Sequence, residues 1–234
     1  RQAMGGRLSA FEVMCPAAVA AGVERARMSG GVAVGPDPDV LVLVEASGPA
    51  GCGDDLVEAV ASVNLPDTSR TDAAATPGSG VPGAVVPHAE AWGLRHGITE
   101  GLRSQGEVLG FDLSVRPSDL PALRAGVREL VASRNPALTV ADFGHWGDGG
   151  IHANVVIPAG AGLSSANTES LRHDVYELVG DRFGGSWSAE HGIGPLNADQ
   201  WRATTPSAEV SLLTAAKDAA DPRRILGHPG LPFG

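Results

Sequence analysis

The chain has 234 residues, 43% of them hydrophobic, which is enough to bury one large core or two small ones. Its formal net charge of −10 argues against a general affinity for nucleic acid or for an anionic membrane surface. Two cysteines do not suggest a disulfide framework, and no apolar run approaches the ~20 residues of a membrane span, so a reduced, cytoplasmic setting is expected. The chain begins at Arg1 without a visible secretory leader, so a fragment of a longer protein and a processed terminus are both open.

The first third of the chain predicts alternating strands and helices. Apolar runs predict strands over residues 8–14 and 39–47. Helical patterns predict helices over 16–28 and 53–64, the second with acidic residues at its start. Residues 65–83 are rich in Pro, Gly, Ser and Thr, a composition that predicts a mobile loop.

The remaining two thirds contain more helices and one clear hairpin. Gly106 is expected to end a helix, and Ser118 is expected to cap the start of the next one. The predicted helices cover 88–105, 118–133, 165–183 and 207–221, and the predicted strands cover 107–115, 137–146 and 151–158. This order predicts an α+β fold that is ferredoxin-like and duplicated, with a broad, largely antiparallel sheet and helices mainly on one of its faces.

The hairpin segment "ADFGHWGDGGIHANVV", residues 141–156, holds two histidines around a glycine turn. A two-residue turn at Asp148-Gly149 would pair His145 directly with His152 on one face, with Cβ atoms about 4.5–5.5 Å apart. Two imidazoles at that separation can share a metal ion. Two ligands alone do not make a metal site, however. The histidines of such a pair more often only pack and form hydrogen bonds.

A second glycine-rich segment, "GGSWSAEHGIG", supplies a carboxylate and a third histidine. Two histidines and one carboxylate are a recurrent catalytic metal site, and Glu190 could complete it. In an extended segment His191 would point away from Glu190, which would leave it free to act as a base. The alternative is that Glu190 caps a neighbouring element and His191 lies at the surface.

Both glycine-rich segments resemble a known family. "FGHWGDGGIHANV" is similar to the G-H-x-G-D-G-N-x-H-x-N segment of FAD-linked oxidases of the D-lactate, glycolate and D-2-hydroxyglutarate dehydrogenase type. "GGSWSAEHGIG" resembles their G-G-S-x-S-G-E-H-G-I-G segment. The stretches "LSAFEVM", "AWGLRHGITEGLRSQGEVLGFDLSV" and "DPRRILGHPG" also resemble family segments, in order, from about residue 8 to 230.

The resemblance implies that the chain is the C-terminal substrate, or cap, domain of such an enzyme, over residues 1–234, and that the FAD-binding domain lies outside it. It implies oxidation of a D-2-hydroxy acid to the 2-oxo acid with hydride transfer to FAD, and a homodimer among the options. It places His145, His152 and Glu190 as ligands of a divalent metal, usually zinc, with manganese or iron as alternatives. It makes His191 the catalytic base, and Arg95 and Thr99 substrate-binding residues.

The chain departs from the family pattern at several positions. Gly150 replaces the family Asn of G-D-G-N, and Gly110 replaces the Lys of its K-x-D stretch, although Asp112 remains. Losing these two polar side chains predicts a substrate with a smaller second carboxylate or none. The chain also carries His96 for a Glu and Ala189 for a Gly, and the closing Asn-Pro-Gly is interrupted at residues 226–229.

Three functions follow from these observations. The first is the substrate and metal domain of an FAD-dependent 2-hydroxy-acid dehydrogenase. The second is a flavin-free module of the same fold that binds a metal or a hydroxy acid without redox activity. The third is a metal-dependent hydrolase, since two histidines and a carboxylate also suit water activation. The third ranks last because the chain has no H-E-x-x-H arrangement.

Overall fold

The structure is a computed structural model of the chain that describes residues 4–28, 40–63, 84–161 and 163–226. The loop predicted over 65–83 lies outside the described residues. Within them, the strands are β1 (Leu8–Met14), β2 (Leu41–Ala46), β3 (Gly106–Ser114), β4 (Thr139–Gly144) and β5 (Gly150–Pro158). The helices are α1 (Pro16–Met28), α2 (Cys52–Ala61), α3 (His88–Gln105), α4 (Leu120–Arg134), α5 (Ser165–Glu177), α6 (Ala198–Thr204) and α7 (Ser207–Ala220).

The five strands form one antiparallel sheet in the order β2-β1-β4-β5-β3. Strands β3 and β4 run in the same direction with β5 between them, so β3-α4-β4 is the split β-α-β unit of ferredoxin-like folds. These observations confirm the α+β fold with an antiparallel sheet. In the other half of the sheet β1 and β2 are antiparallel neighbours with α1 between them in the chain, so a second split β-α-β unit is not seen in the described ranges, and the expected duplication stays a prediction.

Helices cover both faces of the sheet, so the expectation that they pack mainly on one face is wrong. Alternate residues of a strand point to opposite faces. In β5, Ile151, Val155 and Ile157 pack in one core with α4 and α5. Val156 packs in a second core with α1 and α3. Fully burying such a side chain contributes about 1.5–3 kcal/mol, so the central strands are stabilised from both sides.

Helix α3 passes directly into strand β3 without a loop. Gly106 is the first strand residue and has an extended backbone, with φ 163° and ψ −168°. A Cβ atom here would lie 2.2 Å from the Ile157 carbonyl oxygen. Gly106 therefore follows the helix as predicted, but its role is close approach to β5 rather than a left-handed cap.

Two further helix ends differ from the sequence-based expectation. Ser118 lies inside a 3₁₀ turn, Pro117–Asp119, and α4 starts after it, so Ser118 is not the N-cap. The helix predicted over 165–183 is α5 as far as Glu177 and then continues as a short π-helix, Leu178–Arg182.

Helix α6 was not predicted, and it buries Trp201. No helix of the described residues is long and apolar enough to cross a membrane.

Candidate functional site

The first glycine segment forms a hairpin whose loop is longer than predicted. Strands β4 and β5 pair Phe143, rather than His145, with His152, and residues 145–149 form the loop. The His145 carbonyl accepts hydrogen bonds from the backbone N–H groups of Asp148 and Gly150, both at 3.2 Å. These bonds, with one from Gly150 N–H to the Asp148 side chain, close a five-residue loop in place of the two-residue turn.

The two histidines nevertheless lie together. The true register differs from the predicted one by two residues, and such a shift keeps every side chain on its predicted face. The rings of His145 and His152 are 5.7 Å apart between centroids, nearly at right angles. Phe143, the true cross-strand partner, places its ring 5.4 Å from that of His152.

The second glycine segment meets the histidines through Asp112. The Oδ2 atom of Asp112 accepts the backbone N–H groups of Glu190 and His191, both at 2.7 Å. Two N–H groups that converge on one oxygen bend the backbone, so His191 does not point away from Glu190 as an extended segment would require. The His191 ring instead stacks on His152, with centroids 5.4 Å apart and planes 10° apart.

The Glu190 carboxylate lies between the two hairpin histidines. Its Oε1 atom is 3.0 Å from Nε2 of His152 and 3.6 Å from Nε2 of His145. The structure thus brings together the three predicted metal ligands. Among the described residues, the potential ligand atoms that all lie within 4.8 Å of one another are those of Asp112, His152, Glu190 and His191, a set that does not include His145. Both sets share His152 and Glu190.

A buried carboxylate lies on the far side of each hairpin histidine. Nδ1 of His145 is 2.5 Å from Oε1 of Glu12, and Nδ1 of His152 is 3.6 Å from Oδ1 of Asp112. Among the described residues this Asp112 oxygen is buried without a hydrogen-bond partner. Both Nε2 atoms face Glu190, so the donor set leaves two imidazole nitrogens and a carboxylate oxygen for a shared cation.

Burial sets the electrostatics of His152. Its side chain is 14% exposed, and burial lowers the pKa of the imidazole, although the carboxylates of Glu190 and Asp112 act in the opposite direction. The lowered pKa favours the neutral ring, which is the form that binds a metal ion. His191 is 68% exposed and therefore open to a small molecule.

Arg95 lies beside this cluster, on α3. Its Nε atom donates to Oε2 of Glu12 at 2.7 Å, and its guanidinium lies 4.4 Å from the centroid of the Phe143 ring. Phe143 thus contacts both Arg95 and His152. Thr99 is exposed and follows Arg95 by four residues, so it lies one helical turn along the same side of α3.

Sequence reasoning missed Glu12 and gave Asp112 no role. A signal for Glu12 exists in β1, where it shares a strand face with buried Met14. A carboxylate at an inward strand position is expected to have a partner, because an isolated buried charge is too costly. The sequence did not reveal that its partners are Arg95 and His145, which lie more than eighty residues away.

Comparison with known proteins identifies the family. The model described as FAD linked oxidases, C-terminal domain, matches residues 1–230. The chain belongs to this family, as the two glycine segments predicted.

Several curated relatives carry the name D-2-hydroxyglutarate dehydrogenase. The protein from Xanthomonas citri pv. viticola is 37% identical over 148 residues, 62% of this chain and 30% of the relative. The mitochondrial protein of Bos taurus is 38% identical over 137 residues, 58% of this chain and 24% of the relative. The protein of Stutzerimonas stutzeri is 31% identical over 144 residues, 61% of this chain and 30% of the relative. The chain therefore matches less than a third of the length of each of these proteins.

Proposed function

We propose that the chain is the substrate- and metal-binding domain of an FAD-dependent dehydrogenase that oxidises a D-2-hydroxy acid to the 2-oxo acid. One observation carries the proposal: Nε2 of His145, Nε2 of His152 and Oε1 of Glu190 converge at the end of the β4–β5 hairpin. The family match supports the link to FAD. The relatives named D-2-hydroxyglutarate dehydrogenase support the hydroxy-acid class.

The residues of the cluster fit a divalent cation such as zinc, manganese or iron. His145, His152 and Glu190 are favoured as ligands over the set with Asp112, because Asp112 already accepts two backbone N–H groups and faces Nδ1 of His152. A bound cation would lower the pKa of a substrate hydroxyl, and FAD would accept the hydride.

The chain's own residues would bind and orient the hydroxy acid. Arg95 offers a fork of N–H groups to the substrate carboxylate, which fixes C2 relative to the histidine cluster. Thr99 lies one turn further along α3 as a second contact. His191, exposed and stacked on His152, would accept the hydroxyl proton. The C2–H hydrogen would leave with its electron pair as hydride, for which FAD would supply the acceptor, and the O–H proton would go to His191 as the C2=O bond forms.

The substrate we propose has a smaller second carboxylate than 2-hydroxyglutarate, or none. Gly110 lies on β3 and has no side chain, and the side chain of Asn154, its partner on β5, is uncharged. Gly150 begins β5 beside the ligand histidines. Glycine at these two positions leaves the site with fewer polar groups for a distal anion.

The remaining parts of the proposal concern partners and location. The N-terminal FAD domain of the same protein would bind the flavin, and the active protein would be a homodimer in the cytoplasm. Size-exclusion chromatography with light scattering tests the dimer, and cell fractionation with an antibody tests the location.

Anaerobic flavin bleaching of the full natural protein, with its FAD domain, by a panel of D-2-hydroxy acids tests the proposed activity. His191→Ala should retain one divalent ion per chain, measured by elemental analysis, and lose substrate reduction of FAD. His173→Ala is a matched control, since His173 is exposed and pairs with Glu177 on α5. Bleaching by His191→Ala at a near-normal rate would remove His191 as the base. A full natural protein that binds the ion but no flavin would instead favour the redox-inactive binding module.

A further inference from the structure

Glu12 is a buried charge with two distant partners. Its side chain is 1% exposed in the middle of β1, and both of its oxygens are engaged. Oε2 accepts the Nε–H of Arg95 at 2.7 Å, and Oε1 lies 2.5 Å from Nδ1 of His145. A carboxylate at such a position is destabilising unless it is paired, so both partners are needed to hold it there.

Arg95 is oriented from two sides. Glu12 takes its Nε–H, and the ring of Phe143 lies against the face of the guanidinium. Among the described residues Glu12 is the one carboxylate that forms an ion pair with Arg95. With Nε engaged, the two terminal nitrogens remain as the fork that can bind a carboxylate with two parallel hydrogen bonds.

The same carboxylate sets the tautomer of His145. For a neutral ring, a carboxylate oxygen 2.5 Å from Nδ1 favours the tautomer with its hydrogen on Nδ1, which leaves the lone pair on Nε2. Nε2 is the nitrogen that faces Glu190, at 3.6 Å. A carboxylate behind a histidine in this way fixes both the orientation of the ring and its ability to bind a metal ion.

We propose that Glu12 is a positioning residue that orients the substrate-binding Arg95 and the metal-binding His145 through one carboxylate. The inference rests on the proposed function, in which these two residues have those roles. It couples the two halves of the site: a disturbance of Glu12 should weaken metal binding and substrate binding together.

The informative substitution is Glu12→Gln. The amide keeps the size of the side chain but has one acceptor oxygen, so either Arg95 or His145 faces an NH₂ group. Glu12→Asp keeps both acceptors on a shorter side chain and should restore part of the function. Glu45→Gln is the matched control, because Glu45 lies on the neighbouring strand β2 and accepts from Trp92 and Ser9, outside the site.

Two measurements on the full natural protein test the proposal, one of zinc affinity and one of KM. Zinc competition with a chromophoric chelator should show affinity weakened about 10–100-fold in Glu12→Gln, as found for residues behind metal-bound histidines. The KM for a D-2-hydroxy acid should rise as well, whereas Glu45→Gln should leave both values unchanged. A folded Glu12→Gln protein with wild-type zinc affinity and KM would overturn the proposal.

A third measurement needs no substitution. In metal-free wild-type protein, ¹⁵N shifts of the His145 imidazole should show the hydrogen on Nδ1, and a hydrogen on Nε2 alone would refute the role of Glu12 even if Glu12→Gln fails to fold. The failure of the proposed metal site looks different: wild-type protein would then bind no divalent ion at all. Zinc bound equally by wild type and Glu12→Gln removes only the inference about Glu12.

Discussion

Two adjacent glycines at the tip of the β4–β5 hairpin should respond in opposite ways to the same substitution. Gly149 has a φ of +99°, which side chains rarely adopt, and a Cβ there would lie 2.0 Å from the Val115 carbonyl oxygen. At Gly150 the φ is ordinary, and the nearest atom to a Cβ is an Asp148 oxygen at 3.4 Å. Gly149→Ala should therefore displace the loop that carries His145, while Gly150→Ala should not.

The magnitude follows from two costs. A non-glycine residue at this φ is strained by about 1–3 kcal/mol. Moving the loop away from Val115 also breaks the hydrogen bond from Val115 N–H to the Gly149 carbonyl, now 3.1 Å, worth about 0.5–1.5 kcal/mol. Gly149→Ala should therefore lose about 1.5–4.5 kcal/mol of the free energy of unfolding.

Urea denaturation followed by tryptophan fluorescence measures the difference, and chelator competition measures zinc affinity in the same samples. Gly149→Ala should lose stability and bind zinc more weakly, whereas Gly150→Ala should stay within about 0.5 kcal/mol of wild type. Equal stability of the two variants would show that the loop does not have the conformation on which the site depends.

Three further predictions concern groups outside the histidine cluster. Cys15 is buried, and burial raises the pKa of its thiol, so iodoacetamide should label Cys52 well before Cys15; equal rates would contradict the packing between β1 and α1, where Cys15 lies. A hydrogen bond from Trp92 lowers the pKa of Glu45, so Glu45→Gln should cost less than about 1 kcal/mol at neutral pH. That loss should vanish as the pH falls below the ordinary value of 4.5, because the stabilisation exists only while the carboxylate is charged; a loss independent of pH would refute this reasoning. Asp142, 1% exposed between two arginines of α4, should lose about 3–5 kcal/mol on Asp142→Asn in urea denaturation, and a loss under about 1 kcal/mol would show that the buried charge is not paired as described.

Most strands and helices could be predicted because their patterns are local. The apolar runs over residues 8–14 and 39–47 predicted β1 and β2 to within two residues. Which faces of the sheet are covered by helices was harder to predict. Both sides of β5 carry apolar residues, but the sequence does not say which helices pack on each side. Helix packing on one face was therefore expected, and α1 with α3 on the other face was not.

The histidine cluster was predicted through an incorrect register. Asp148-Gly149 is a strong signal for a two-residue turn, but the side chain of Asp148 and the carbonyl of His145 close a longer loop. The convergence of His145 and His152 survived because the error was two residues, which preserves the face. The pairing of Glu12 with Arg95 depends on how α3 packs on the sheet beside α1, and no local pattern encodes that contact.

Because α3 passes directly into β3, no flexible loop separates two parts of the site. Arg95 stands on the helix and Asp112 on the strand, and the chain joins them through a junction with no connecting loop. One residue inserted there would turn the helix by about 100° or exchange the two faces of the strand. An insertion in a loop can leave the flanking elements in place. An insertion at residue 106 would instead change the orientation of Arg95 relative to Asp112.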